Sequence, residues 1–298
     1  MYINGIGVLS SLGIGIDQVR TALKSGETGL FTSETYMAEC GSIEKYFDLS
    51  EFTETTYHYL DNTTAFTIAC IRMASDDSGS SVTDENCYDT GLVFGSVWGC
   101  TQTMETFQQK LIDSDPKYAT PFLFSNSFPN SPASTASIEF GIKGYNTVYS
   151  GCANSGFMAF ISGCSAVKSS KADSVFAAGA DAVSRTVIEF HTKAPVHDTA
   201  ACLLIEKDRR ETAVNIAEWC MQGALPSQNG FSGEVTQVID NRIHSPSGIE
   251  SPRGTCMAGA FPLAAAVAAD RIRSGRTESC SVEYISGNQT GYCVLNSC

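Results

Sequence analysis

One stretch limits the folds open to this chain more than any other. Asn146-Thr147-Val148-Tyr149 is rich in β-branched and aromatic residues and reads as a short buried strand. It runs through Ser150-Gly151-Cys152-Ala153-Asn154-Ser155-Gly156 into the apolar run Phe157-Met158-Ala159-Phe160-Ile161, helical to about residue 169. A strand that turns through small residues into a helix is an elbow. It presents a side chain at a helix N-terminus, where partial positive charge stabilises a thiolate or an oxyanion. Cys152 is therefore the first candidate for a nucleophile.

The flanking sequence supplies strands and helices in alternation. Residues 3–9 read as a strand. Gly5 and Gly7 invite a dinucleotide fingerprint, but its third glycine falls on Ser10, so that motif is set aside. Residues 17–24 form a short helix stopped at Gly26, and Asn62 or Thr63 caps a helix to about residue 75 with Ala65, Ile68, Ala69 and Met73 on one face. A strand at 90–95 and an amphipathic helix at 103–112 follow. Pro121, Pro129 and Pro132 mark a loop before a small-residue helix at 133–140. Beyond the elbow come strands at 173–179, 199–206 and 212–222, and loops in the Gly/Pro/Ser-rich stretch 225–253. An alanine-rich helix at 258–273 precedes closing strands at 281–285 and 292–295. Residues 31–59 show no clear period. The alternation places the chain in the α/β class.

Composition removes several classes of function. The net charge is −13, and the one basic cluster, Lys207-Asp208-Arg209-Arg210, reads as a solvated turn, so no nucleic-acid partner is expected. Twelve cysteines include no C-x-x-C pair, and Cys70, Cys164, Cys202 and Cys293 sit in apolar segments. They read as buried free thiols of a reducing cytoplasm, with no metal and no cofactor implied. No apolar run reaches the length of a membrane span, and the first residues lack the features of a signal peptide. A cytoplasmic location is the expectation. At 298 residues there is room for one large domain or two fused halves.

Several segments taken together resemble the β-ketoacyl synthases, the thiolase-fold condensing enzymes. They are Ile3-Asn4-Gly5-Ile6-Gly7-Val8-Leu9-Ser10-Ser11-Leu12-Gly13, Gly91-Leu92-Val93-Phe94-Gly95-Ser96, Pro121-Phe122, Phe140-Gly141-Ile142-Lys143-Gly144, the elbow, and Val175-Phe176-Ala177-Ala178-Gly179. The resemblance is close over residues 1–185 and weaker afterwards. It implies a thiolase-like αβαβα layered fold, contracted in the second half. The chain would be a single domain, 1–298, of two pseudo-repeat halves at about 1–170 and 171–298. It also implies dimers, and decarboxylative condensation by an elbow cysteine, two histidines and a lysine.

The site residues that the resemblance carries over depart from this pattern. The ungapped register from Gly144 to Phe176 places Ala153 at the nucleophile position and Asn154, Ser155 and Gly156 on the family's Ala-Ser-Gly. Cys152 then points into the core. Aligning on Cys152 itself needs a deletion before it and an insertion after it. Glu250 stands at the lysine position and Thr255 at the histidine position of the Lys-Ser-x-x-Gly-His motif. His244 is the one candidate for the other histidine, and neither Gly nor Thr follows it. The chain is also short, losing residues between 184 and 199 and between 223 and 250.

Three functions remain open. In the first, the chain resembles a chain-length factor, specifically the small form found with bacterial aryl polyene ketosynthases. It would have no catalytic residues of its own and would pair with an active ketosynthase subunit as a heterodimer. Acyl carrier protein would be met only through that partner. Phe122, Phe124, Phe128, Phe157 and Met158 are then candidates for the acyl tunnel or the subunit interface. In the second, Cys152 and His244 form the dyad of a working acyltransferase or condensing enzyme. In the third, the chain is a structural homodimer.

Overall fold

The computed structural model describes residues 1–44, 46–114, 117, 120–191, 194–221, 225, 231–232, 234–239, 242–244, 255–286 and 288–298, with the backbone alone at 239, 242 and 244. Strands β1 (Tyr2–Ser10) and β2 (Gly13–Ile14) lead to helix α1 (Ile16–Ser25), and a small hairpin of β3 (Phe31–Ser33) and β4 (Ala38–Cys40) precedes α2 (Asn62–Ser78). Then come β5 (Thr90–Ser96), α3 (Thr101–Asp113), α4 (Pro121–Asn126), α5 (Ser131–Phe140), β6 (Asn146–Ser150), α6 (Ser155–Lys168), β7 (Ser174–Asp181) and α7 (Arg185–Phe190). The chain continues through β8 (Thr199–Glu206), β9 (Val214–Met221), β10 (Glu234–Ile239), β11 (Arg242–His244), α8 (Ala260–Arg273), β12 (Ser279–Ser286) and β13 (Gln289–Asn296).

Among the described residues, eleven strands form one sheet in the order β11-β10-β12-β13-β9-β1-β8-β7-β5-β6, with β2 paired to β1. The order contains a repeat. In the first half β5 runs parallel to β7, which is antiparallel to β8, which is antiparallel to β1. In the second half β10 runs parallel to β12, which is antiparallel to β13, which is antiparallel to β9. The halves join where Tyr2 and Ile3 of β1 pair with Asn215 and Val214 of β9. Helix α6 lies in sequence between β5 and β7, and α8 lies between β10 and β12, so the two helices occupy matching places.

The core divides accordingly. One apolar cluster puts Phe157, Phe160 and Ile161 of α6 and Phe261, Leu263 and Val267 of α8 against residues from both halves of the sheet. A second puts Phe66, Ile68, Cys70 and Ile71 of α2 and Ala133 and Ala136 of α5 on the other face of the first half. Helix α2 is buried nearly all round, which explains its weak amphipathic signal. Gly7 explains how α2 comes so close to the sheet. A Cβ there would overlap the Cys70 carbonyl oxygen, so the glycines at the chain start admit a helix backbone and do not cradle a phosphate. In the second half, residues 222–233 alone connect β9 to β10, where the first half spends α1, α2 and the small hairpin between β1 and β5. The contraction falls there.

Several local expectations are corrected. The cap of α2 is Asp61, whose carboxylate accepts the Thr63 N–H at 2.9 Å and also the Thr103 N–H of α3 at 3.0 Å. Pro121 and Pro132 open helices α4 and α5, because a first-turn proline has no N–H to leave unsatisfied. The stretch read as loops contains β10 and β11. Strand β6 is an edge strand, half-buried or exposed along its length, because β-branched residues suit an edge as well as a core.

Buried carboxylates tie loops to this frame. Asp198, at the entry to β8, accepts the Ile43 N–H at 2.8 Å and the Val183 N–H at 2.6 Å. Burial pushes its carboxyl up to about 7, against the opposing pull of those bonds. A raised carboxyl favours the fold most below its unfolded value, and that contribution is lost as pH rises through the folded value. Between about pH 4 and 7 this group alone is expected to lower stability with rising pH, by on the order of 1 kcal/mol per pH unit. Urea unfolding of the native chain and of Asp198→Asn across this window checks it: the native midpoint should fall more steeply than the variant's.

Candidate functional site

Strand β6 delivers the chain to the elbow, and Gly151 makes the turn at φ 84°, in the left-handed region. The loop closes on itself. The Ser155 hydroxyl donates to the Cys152 carbonyl at 2.7 Å, and the Ser155 N–H donates to the same oxygen at 3.0 Å. Cys152 and Ala153 therefore both face outward and are exposed. This corrects the expectation that Cys152 turns into the core: the rotation happens at Gly151, so neither side chain is carried inward. Among the described residues the Cys152 thiol has no hydrogen-bond partner. The His244 side chain and all of Glu250 lie outside the described residues.

The elbow helix meets the second half by close backbone approach. A Cβ on Gly95 of β5 would overlap the Ser155 carbonyl, and a Cβ on Gly156 would overlap the Ala258 carbonyl in the 3₁₀ turn Met257–Gly259 that opens α8. Asp181 fixes this junction. Fully buried at the end of β7, it accepts the Ser96 hydroxyl at 2.6 Å, the Trp98 N–H at 2.8 Å and the Ala258 N–H at 2.9 Å. Burial raises its carboxyl above the usual range, while these bonds oppose the shift. The structure thus brings the elbow beside the Thr255 segment. Thr255 itself is buried; its hydroxyl accepts the Met257 N–H at 3.3 Å and its backbone bridges to Val196. Asp181 carried no signal in sequence beyond a polar residue ending an apolar strand.

The tunnel and interface candidates separate into two groups. Phe122, Phe124 and Phe128 are 68, 50 and 40% exposed. Phe124 and Phe128 form an aromatic patch with Phe107 of α3, and Phe122 stands on α4 with Phe124: Phe107 and Phe124 lie 5.5 Å apart and Phe124 and Phe128 lie 4.9 Å apart. Phe157 is buried in the core, edge-on to Phe261 at 4.8 Å and stacked on Tyr284 at 5.3 Å. Met158 is half-buried at the start of α6.

No hydrogen bond among the described residues joins another histidine to the Cys152 thiol. His197 is buried with Nδ1 2.7 Å from the Ser11 hydroxyl, and His58 is exposed. Among the described residues no three His, Cys, Asp or Glu side chains converge as metal ligands. No described helix is long and apolar enough to cross a membrane. The cysteine expectation holds at Cys70, Cys164, Cys202 and Cys293, all fully buried free thiols. Iodoacetamide on the native chain should label Cys152 and Cys298 and leave these four unmodified, as read by peptide mass spectrometry; labelling of the four before Cys152 would contradict the burial described here.

Comparison with known proteins agrees with this geometry. The family model for the β-ketoacyl synthase N-terminal domain matches residues 3–203. The 3-oxoacyl-acyl-carrier-protein synthase 2 of Vibrio cholerae is 27% identical over 190 residues, covering 62% of this chain and 46% of that protein. The chain spans about half the length of the curated relatives it matches. Among solved structures, the ishigamide ketosynthase/chain length factor superposes with a TM-score of 0.78 at 17% identity, covering 99% of each chain. A ketosynthase in complex with its chain length factor from Xenorhabdus doucetiae gives 0.74 at 11% identity, covering 100% of this chain and 98% of the other. These likenesses establish a thiolase-like fold. With a family model covering most of its length, the chain belongs to the β-ketoacyl synthase family.

Proposed function

We propose that the chain is a non-catalytic, chain-length-factor-like subunit that pairs with an active β-ketoacyl synthase and shapes the tunnel for its growing acyl chain. The observation that carries this is Thr255. In the register that the resemblance suggests, the family's catalytic histidine position falls on Thr255, which is buried and whose hydroxyl oxygen accepts a backbone N–H. Such a hydroxyl is no general base near neutral pH. The exposed Cys152 thiol, with no partner among the described residues, fits the same reading. An enzyme using Cys152 with His244 is the competing possibility.

The pairing surface is proposed to be the edge of β6 together with the Phe122, Phe124 and Phe128 patch. An unpaired strand edge and a group of exposed aromatics are each a ready docking surface. With a net charge of −13 this chain is a poor dock for an acidic carrier protein, so carrier protein would be met by the partner. Two structural neighbours, described as ketosynthases with a chain length factor, support a heterodimer. An aryl polyene pathway, a cytoplasmic location and one domain of two related halves belong to the same proposal. The strand order supports a division between Glu206 and Val214 in place of one near residue 170.

Co-expression with a ketosynthase of the chain's own source tests the pairing. A stable one-to-one complex by light scattering is expected, with Cys152 alkylation slowed about tenfold or more relative to the isolated chain. A chain that stays a homodimer beside the ketosynthase would sink the proposal.

A further inference from the structure

A cleft of about 360 Å³ opens at the end of the sheet opposite the elbow. Strands β5 and β7 begin there, at Thr90 and Ser174, and β8 ends there at Glu206. The elbow instead adjoins Ser96, at the other end of β5. The volume falls within the roughly 300–1,000 Å³ usual for small-molecule sites. Phe176 and Leu204 supply apolar lining, and most of the other lining side chains are polar or charged.

The polar groups of the lining divide into those already committed and those left open. Arg210 is committed: it holds Glu206 through Nε at 2.6 Å and Nη2 at 3.0 Å, and Nη2 also donates to the Ser80 hydroxyl at 3.1 Å. A hydroxyl relay is committed in one direction. The Thr90 hydroxyl donates to the Asn86 carbonyl at 3.0 Å, which cannot donate back, so Thr90 accepts from the Ser174 hydroxyl at 3.0 Å. The Ser174 proton is thereby spent, and its Oγ offers a ligand only lone pairs. Two opposite charges are open. Asp173 and Arg209 both line the cleft and are exposed. Among the described residues the Asp173 carboxylate and the Arg209 guanidinium bond neither to each other nor to any other group. The lining thus presents an acceptor pair, Asp173 with Ser174 Oγ, and a separate cationic donor. Its carboxylates, Asp173, Glu206 and Asp208, outnumber its two guanidiniums, which disfavours a simple anion. A simple cation would leave Arg209 unanswered. Charge-assisted bonds at both poles are the stronger solution.

We infer that this cleft binds a small zwitterion, its ammonium group on the Asp173 carboxylate and Ser174 Oγ and its carboxylate on the Arg209 guanidinium. The site stands independently of the proposed pairing with a ketosynthase. It uses residues of one chain, none of them in the elbow, the β6 edge or the aromatic patch.

The probe is γ-aminobutyrate, flexible enough for its two poles to reach a range of spacings. Butylamine and butyrate, each lacking one pole, are the controls. Titration of the native chain with γ-aminobutyrate should shift the backbone amide resonances of Ser174 and Arg209 saturably. Each control should bind at least about fivefold more weakly, roughly 1 kcal/mol. Read at the Ser174 amide, Arg209→Gln should remove the advantage over butylamine, and Asp173→Asn should remove the advantage over butyrate. Both side chains are exposed, so both variants should fold. The inference is overturned if γ-aminobutyrate gives no saturable shift at these amides, if either control binds as tightly, or if either advantage survives its variant. Should a variant fail to fold, the comparison of the three probes on the native chain decides alone.

Discussion

Gly156→Ala is expected to destabilise the fold by about 3 kcal/mol or more, at or beyond the upper end of the usual overpacking range. The reason is local and geometric. The added Cβ would overlap the Ala258 carbonyl oxygen, and its next neighbour is the Pro262 ring at the start of α8. Neither is the far end of a flexible side chain that could swing aside. The elbow helix would have to lift from the second half, and the Asp181 bond to the Ala258 N–H would stretch with it. Gly163→Ala is the internal comparison. It lies on the same helix, and its Cβ would meet the Ala177 and Val175 side chains at 3.3 Å, tight but yielding. A mid-helix alanine gains up to about 1 kcal/mol in propensity, which offsets that contact, so Gly163→Ala should lie within about 1 kcal/mol of the native chain. Urea unfolding midpoints separate the two. Equal midpoints would mean that α6 and the start of α8 are not in backbone contact.

The second large effect concerns association. The Leu92 N–H donates to the Tyr145 carbonyl at 2.8 Å and the Gly151 N–H donates to the Ser96 carbonyl at 3.1 Å. Odd-numbered residues of β6 therefore aim their backbone groups at β5, and by alternation Asn146, Val148 and Ser150 aim theirs outward. Ser150→Pro removes one outward donor and puts a ring where a partner strand would lie. Edge strands tolerate proline, so the isolated chain should keep its stability within about 1 kcal/mol. Affinity for the ketosynthase should fall about a hundredfold, roughly 3 kcal/mol. Phe122→Asp should also weaken the complex, because a carboxylate would have to be desolvated in the patch. Unchanged affinity in both variants would place the interface elsewhere.

Much of the frame was legible in the sequence because its signals are local. The runs that became β5, β7, β8 and α8 are apolar and bounded by turn residues, and the elbow is a strand-turn-helix pattern within a dozen residues. What escaped was non-local. Asp61 caps two helices and Asp181 joins β5, β7 and the entry to α8, yet each is a single aspartate in sequence. Strand β10 is short and half polar, with no clean alternation, and its partner β12 lies far along the chain, so pairing and not propensity fixes it. At the site, the sequence offered a register for Ala153 but not the direction in which Cys152 points. The direction of both side chains depends on one positive φ at Gly151.

As a non-catalytic subunit, this chain is expected to carry no acyl group. The most direct test is intact mass measurement of both subunits of the co-expressed complex after incubation with acyl-loaded and malonyl-loaded carrier protein. An acyl adduct on the ketosynthase and an unmodified mass for this chain are expected, with elongation proceeding. An adduct on this chain that maps to Cys152, together with turnover by the chain alone, would contradict it and make Cys152 a catalytic nucleophile.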